Sequence, residues 1–82
     1  MKTDQRLVFR KRFGCRLKAL RIAKDMTKAA LADALGWTVQ NVDGIERGDW
    51  STDASNLQTI ADVLGVSIAE LLGEEPEHAA WW

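Results

Sequence analysis

The 82-residue sequence has only one cysteine and one histidine. A lone cysteine, Cys15, excludes an internal disulfide and fits a reducing compartment such as the cytoplasm. A lone histidine, His78, leaves no His cluster for a metal ion and no base for a nucleophilic serine. The sequence also lacks a glycine loop that could cradle phosphate. We therefore expect no enzyme, no catalytic residue, no metal and no cofactor.

Long apolar runs are absent as well. No stretch is long enough to span a membrane, and the basic N-terminus lacks the apolar core of a secretory signal. Apolar residues make up 46% of the chain and charged residues 28%, which is typical of a globular protein. At this length we expect one domain with a small core.

The last two-thirds of the chain contains almost no positive charge. Residues 1–28 hold ten of the eleven Lys and Arg against two acids, a balance of +8. Residues 29–82 hold Arg47 alone against ten acids, a balance of −9. This asymmetry indicates an anion-seeking head on an acidic body. The alternative is a solvated basic helix whose charges interact with the acidic half of the same molecule.

Apolar spacing predicts five short helices and no strand. The first should run over about residues 7–24. The others should follow good N-capping residues, which are Thr27, Thr38, Asp53 and Ser67. Glycines should end them, namely Gly36, Gly48, Gly65 and Gly73. Ser67 and Glu70 have the spacing of a reciprocal capping box. We divide the chain into a basic arm that runs into the first helix (1–12), a helical domain (13–73) and an acidic tail ending in two tryptophans (74–82).

The stretch GWTVQNVDGIERG, residues 36–48, has the spacing of a turn followed by a helix. Ala32 is small enough for two helices to cross closely, and Gly36 can take the left-handed turn conformation. Val42 and Ile45, three residues apart, would hold one face of the second helix inward. With the ending LGVSIAELL, these residues resemble the phage repressor and Cro family, the xenobiotic-response-element type of helix-turn-helix. The resemblance covers residues 13–73 and implies an all-α, five-helix, lambda-repressor-like domain with helices 2 and 3 as the motif.

The resemblance also implies that the third helix enters the major groove of double-stranded DNA. The positions nearest the bases would be Thr38, Val39, Gln40, Asp43 and Gly44. Gln40 could pair with adenine, Val39 could contact a thymine methyl group, and Asp43 could accept from cytosine. Gly44 offers no side chain and lowers helix propensity. We therefore expect a modest readout.

Phosphate contacts would come from cations around that helix, namely Lys28, Arg47, Arg10, Lys11, Arg12 and Arg16. Because the recognition helix is weakly equipped, we expect the arm and the first helix to supply most of the affinity, in a salt-dependent manner. The alternative for the arm is a frayed, solvated terminus.

The function implied is that of a sequence-specific regulator, a repressor that binds a palindromic operator as a homodimer. It would act in the cytoplasm of a bacterial or phage-infected cell. The expected dimer surface consists of Leu71, Leu72, Trp81 and Trp82. The two terminal tryptophans could equally contact another partner or dangle.

Three alternatives are kept open. The fold could serve as a protein-binding module, an antitoxin or inhibitor that presents Asp43, Glu46 and Asp49 to a partner. It could also bind DNA architecturally, with little sequence preference, or be a helical bundle without a nucleic-acid role.

Trp50 is expected to pack beneath the loop after the third helix, with DNA contact as the alternative. Cys15 is expected to be a spectator rather than a redox sensor.

Overall fold

The computed structural model describes residues 5–50 and 52–73. Within these ranges the chain forms five helices and no strand, which confirms the predicted fold class. The helices are α1 (Gln5–Ala23), α2 (Lys28–Leu35), α3 (Val39–Arg47), α4 (Ala54–Leu64) and α5 (Ile68–Leu71). None of the described helices is both long enough and apolar enough to cross a membrane. No group of three or more His, Cys, Asp and Glu side chains in these ranges could hold a metal ion.

Capping residues set the helix boundaries, as predicted. The side chains of Thr27, Thr38, Asp53 and Ser67 each accept a backbone N–H three residues later. Left-handed glycines end the first three of these helices, namely Gly36, Gly48 and Gly65. The expected reciprocal box at Ser67 shows one half within the described chain, the bond from the Glu70 N–H. The complete box lies at α3, between Thr38 and Asn41.

Helix α1 is longer at its start than predicted, because it begins at Gln5. Residues 5–12 of the expected arm are therefore helical, and residues 1–4 lie outside the described ranges. This part of the chain contains neither proline nor glycine and is rich in residues that tolerate helix well, so the helix continues. It ends after Ala23, where Asp25 takes a left-handed φ of 56°.

A single core fills the space between the helices. Its fully buried side chains include Leu17, Leu31, Ile60, Leu64 and Leu71. The burial of Leu71 corrects the expectation that it lies on a dimer surface, because α5 packs that side chain inward against α1 and α4. Leu72 is half-buried against the same core. Trp81 and Trp82 fall outside the described residues.

Gly14 lets α1 cross α3 at very short range. A Cβ atom on Gly14 would lie 2.5 Å from the carbonyl oxygen of Ile45 and closer still to that of Glu46. Since those atoms are backbone, they cannot rotate aside. Any larger residue would push α3 away from α1, so this glycine fixes the position of α3 in the fold.

Candidate nucleic-acid interface

Helices α2 and α3 meet at a tight turn. Ala32 is buried between them, and its carbonyl oxygen accepts the N–H of Trp37 at 2.8 Å. Gly36 makes the turn with a φ of 73°. Val42 and Ile45 are 1% and 4% exposed, so one face of α3 is held in the core. The opposite face of α3 consequently points away from the protein.

The start of α3 presents two free side chains and one committed hydroxyl group. Val39 is 42% exposed, and Gln40 is exposed beside it. Thr38 is exposed too, but its hydroxyl group donates to Asn41 Oδ1 at 2.8 Å and accepts the Asn41 N–H at 3.1 Å. Its hydroxyl proton is thus used in the cap. Of these three residues, only Val39 and Gln40 expose a side chain that the cap does not use.

Asp43, one turn further, is neutralised by two cations. Its carboxylate accepts a hydrogen bond from Lys28 Nζ at 2.6 Å and lies 3.3 Å from Arg47 Nη1. The hydrogen bond from Lys28 lowers the pKa of Asp43, and the charge of Arg47 lowers it further. Arg47 also reaches Asp49 at 3.1 Å. The negative charge that would repel DNA phosphate at Asp43 is therefore offset within the protein. Lys28 and Arg47, which are expected to contact DNA phosphates, both form ion pairs with Asp43.

Gly44 does not lie open on this face, as its proposed base contact would require. It is buried, and a Cβ atom there would lie 3.1 Å from Cδ2 of Trp50 and 3.2 Å from Cε2. The indole ring therefore covers the α3 backbone at this position, rather than packing beneath the loop as expected. The ring itself is 45% exposed, so Trp50 forms the outer surface here. The sequence signal was a glycine inside a helix, six residues before a tryptophan.

The cations of α1 point in several directions. Lys11 Nζ donates to the carbonyl oxygen of Arg47 at 3.2 Å, at the C-terminus of α3. Arg16 Nε donates to the carbonyl oxygen of Glu70 at 3.0 Å, at the end of α5. The bond from Lys11 satisfies a carbonyl group at the end of α3, whereas Arg16 shares the Glu70 carbonyl oxygen with the N–H of Gly73. Arg12 is exposed, and Arg10 Nε is buried without an acceptor among the described residues.

One cation of the basic head and one acid of the body form a buried pair that the sequence reading missed. Arg21 and Glu46 are both buried, with two hydrogen bonds between guanidinium and carboxylate. Glu46 is thus unavailable to a protein partner, contrary to the alternative that placed it on an acidic binding surface. Here the view that basic-helix charges interact with the acidic half of the molecule holds.

The chain is similar in sequence and in fold to known proteins. A family model described as helix-turn-helix, HTH_3, matches residues 17–71. An uncharacterised HTH-type transcriptional regulator of Bacillus subtilis, YazB, is 40% identical over 63 residues, 77% of this chain and 91% of that protein. The immunity repressor protein of Bacillus phage phi105 is 31% identical over 62 residues, 76% of this chain and 43% of the repressor. The restriction-modification controller protein of Aeromonas hydrophila has a TM-score of 0.71 at 34% identity, covering 74% of this chain and 92% of that one.

Proposed function

We propose that this chain, which belongs to the helix-turn-helix family of transcriptional regulators, is a repressor that binds a palindromic operator as a homodimer. The observation that supports the proposal most is the outward face of α3, with Val39 and Gln40 exposed beside a neutralised Asp43. A helix held this way fits the major groove. The protein would act in the cytoplasm of a bacterial or phage-infected cell.

Base readout would come from the first turns of α3. Gln40 would form a bidentate pair with adenine, and Val39 would contact a thymine methyl group. Asp43 would discriminate weakly, accepting from cytosine N4 only where Lys28 and Arg47 leave an oxygen lone pair available. Thr38 would accept rather than donate, because its proton is bonded to Asn41.

Phosphate binding would use cations on both sides of the helix-turn-helix. Lys28 and Arg47 would each reach a phosphate while remaining near Asp43, since the side chain of Lys28 is 38% exposed and that of Arg47 63%. Lys11 lies at the same end of α3 as Arg47. Arg10 would use its other guanidinium nitrogens, because its Nε is buried. Arg16 is bonded to α5 and Arg12 is exposed, and both would contribute mainly through their charge.

A two-fold dimer would place two α3 helices in successive major grooves, roughly 34 Å apart. With Leu71 inside the core, the proposed dimer surface reduces to Leu72 on α5 together with Trp81 and Trp82. Since the match to the phage repressor covers less than half of that protein, its regulation is not carried over to this chain.

The test is retention on a randomised DNA duplex pool at about 50 mM and about 200 mM salt, followed by sequencing. We expect enrichment of a palindromic site that persists at the higher salt. Retention without enrichment, lost as salt rises, would instead indicate an architectural DNA binder. Absence of retention at both concentrations would overturn DNA binding and direct the search to a protein partner.

A further inference from the structure

One face of α1 carries an exposed aromatic ring, an exposed arginine and a half-buried arginine that meets α5. Phe9, Arg12 and Arg16 occupy positions i, i+3 and i+7, which lie within about 60° of one another around a helix axis. Phe9 is 51% exposed although its ring stacks on Phe13, with 6.1 Å between ring centroids. We call these three residues, Phe9, Arg12 and Arg16, the α1 strip. It combines an apolar platform at one end with two cations toward the other.

The chain leaves α5 at the basic end of this strip. Arg16 Nε donates to the carbonyl oxygen of Glu70, which draws the end of α5 onto α1. Gly73 then turns the backbone with a φ of 81°, and a Cβ atom on it would lie 4.0 Å from Arg16 Nε. Gly73, the last described residue, therefore lies next to Arg16.

The residues that follow have the complementary chemistry in the complementary order. The segment 74–82, EEPEHAAWW, has three glutamates within its first four residues and two tryptophans at its end. The α1 strip has arginine first and phenylalanine last when followed from Gly73. From Arg16 to Phe9 the helix rises only about 10 Å. The seven steps along an extended chain from Glu74 to Trp81 span up to about 23 Å, so the tryptophans can reach Phe9.

We propose that residues 74–82 dock on the α1 strip of their own chain. The glutamates would lie against Arg12 and Arg16, and an indole ring would cover Phe9. Each such contact is weak at an exposed surface, but a short tether holds the segment at an effective concentration in the millimolar range. Docking would cover the exposed Phe9 ring and lower the positive charge that α1 presents to an anion. It would weaken as salt rises.

Cys15 provides the test, because it is the only cysteine, is exposed and lies on α1 between Arg12 and Arg16. A nitroxide spin label on Cys15 of the 82-residue protein would broaden the NMR signals of nearby protons. An undocked flexible segment of eight residues has an end-to-end distance of about 16 Å and would also bring the tryptophans near the label. Docking is therefore measured by the intensity that the indole N–H signals of Trp81 and Trp82 lose beyond the loss for an undocked segment, relative to the reduced label. Trp37 and Trp50 serve as internal references, since they sit at fixed positions.

Two variants make the result specific. Replacing Glu74, Glu75 and Glu77 by glutamine should restore most of the intensity that docking removes, and so should Arg12→Gln. The matched control Lys24→Gln removes an exposed cation beyond the other end of α1 and should leave the broadening unchanged. Full intensity in the unmodified chain, or equal effects of Arg12→Gln and Lys24→Gln, would overturn the proposal.

A second copy of the chain is the competing occupant. Spin-labelled protein without isotope is mixed with isotope-labelled Cys15→Ser protein, so that any broadening of Trp81 and Trp82 arises between molecules. Docking within one chain keeps Trp81 and Trp82 from the proposed dimer surface, so both experiments are run below the concentration at which the protein dimerises, and there we expect none. Broadening of equal size in the mixture would overturn docking within one chain and place the segment on a partner.

Discussion

Arg21 on α1 and Glu46 on α3 form a bidentate ion pair in the interior of the protein. Arg21 Nε donates to Glu46 Oε2 at 2.7 Å and Nη2 to Oε1 at 3.1 Å, with side chains only 9% and 3% exposed. Arg21 Nη1 also donates to the carbonyl oxygen of Met26 at 2.8 Å. The hydrogen bond to Glu46 raises the pKa of Arg21, so the guanidinium stays charged. One residue thus ties α1, α3 and the loop before α2 together.

Removing the carboxylate from this pair should destabilise the fold strongly. Glu46→Ala leaves Arg21 charged, buried and without its partner, and we expect a loss of about 3–5 kcal/mol in the free energy of unfolding. Urea denaturation measures it. The double variant Arg21→Met with Glu46→Leu should recover much of the loss, because it leaves no unpaired buried charge. The exposed control Asp33→Asn should stay within about 0.5 kcal/mol of wild type. A similar small effect for Glu46→Ala would refute the structural role.

The glycine in α3 should be explained by Trp50 rather than by DNA. On an open helix surface Gly44→Ala would stabilise by about 1 kcal/mol through helix propensity. Here the new Cβ atom would press on the indole ring at 3.1 Å, so we expect a clearly smaller gain or a loss. In the Trp50→Ala background the full gain should appear. A double-mutant cycle of denaturation midpoints measures this coupling, and additive effects would argue against the contact.

Acid should weaken the start of α4 through Asp53. Its pKa is lowered by the hydrogen bond from the Asn56 N–H and then by that from the Ser55 hydroxyl group. A carboxyl group with a depressed folded-state pKa stabilises the fold above its unfolded value of about 3.9, and this is lost as pH falls through the folded value. Asp53→Asn keeps a capping acceptor that does not titrate. Melting temperatures from about pH 6 to about pH 3 should fall less for Asp53→Asn; parallel curves would exclude this contribution.

Gln40 should carry sequence discrimination. Gln40→Ala removes a bidentate base contact, so the preference for the selected site over a site altered at one adenine should shrink by about 1–3 kcal/mol. Competition binding with the two duplexes measures it. Gln58→Ala is the matched control, because Gln58 is exposed on α4 and bonded to Asp62. A uniform loss for both duplexes on Gln40→Ala would assign Gln40 to the DNA backbone instead.

Lys28 should act on DNA both directly and through Asp43. Lys28→Gln removes one phosphate contact, which should reduce the slope of log affinity against log salt by about 1. It also leaves Asp43 with Arg47 alone, which adds repulsion from phosphate. Lys28→Gln combined with Asp43→Asn should therefore bind more tightly than Lys28→Gln alone at low salt. If the second substitution adds no affinity, neutralisation of Asp43 by Lys28 has no part in binding.

The helices could be predicted from contacts between residues that are close in the sequence. Contacts between distant residues could not be predicted in this way. The caps Thr27 and Asp53 are contacts with a residue three positions away, so their chemistry is readable from the chain itself. The Arg21–Glu46 pair joins residues 25 apart, and nothing in their spacing distinguishes them from the other charges. The charge count along the sequence therefore overestimates the number of cations that are available to bind an anion.

The site shows the same division. The family resemblance implied that one face of α3 points away from the protein. Val42 and Ile45, on the opposite face, are buried as this orientation requires. Which outward residues are free could not be read from the sequence, because Lys28 and Asp43 meet only once α2 packs on α3. The contact of Trp50 with Gly44 likewise depends on how the chain turns back after Gly48.

The two faces of α3 also separate the residues that hold the helix in the fold from those that can be exchanged. Val42, Ile45 and Glu46 hold it in place, whereas Val39 and Gln40 contribute no buried side chain to the fold. Positions 39 and 40 can thus be randomised together without rebuilding the core. Under the proposed function, such a library would yield variants that bind new target sequences. Position 43 can join such a library only as a pair with position 28, because those two side chains form one electrostatic unit.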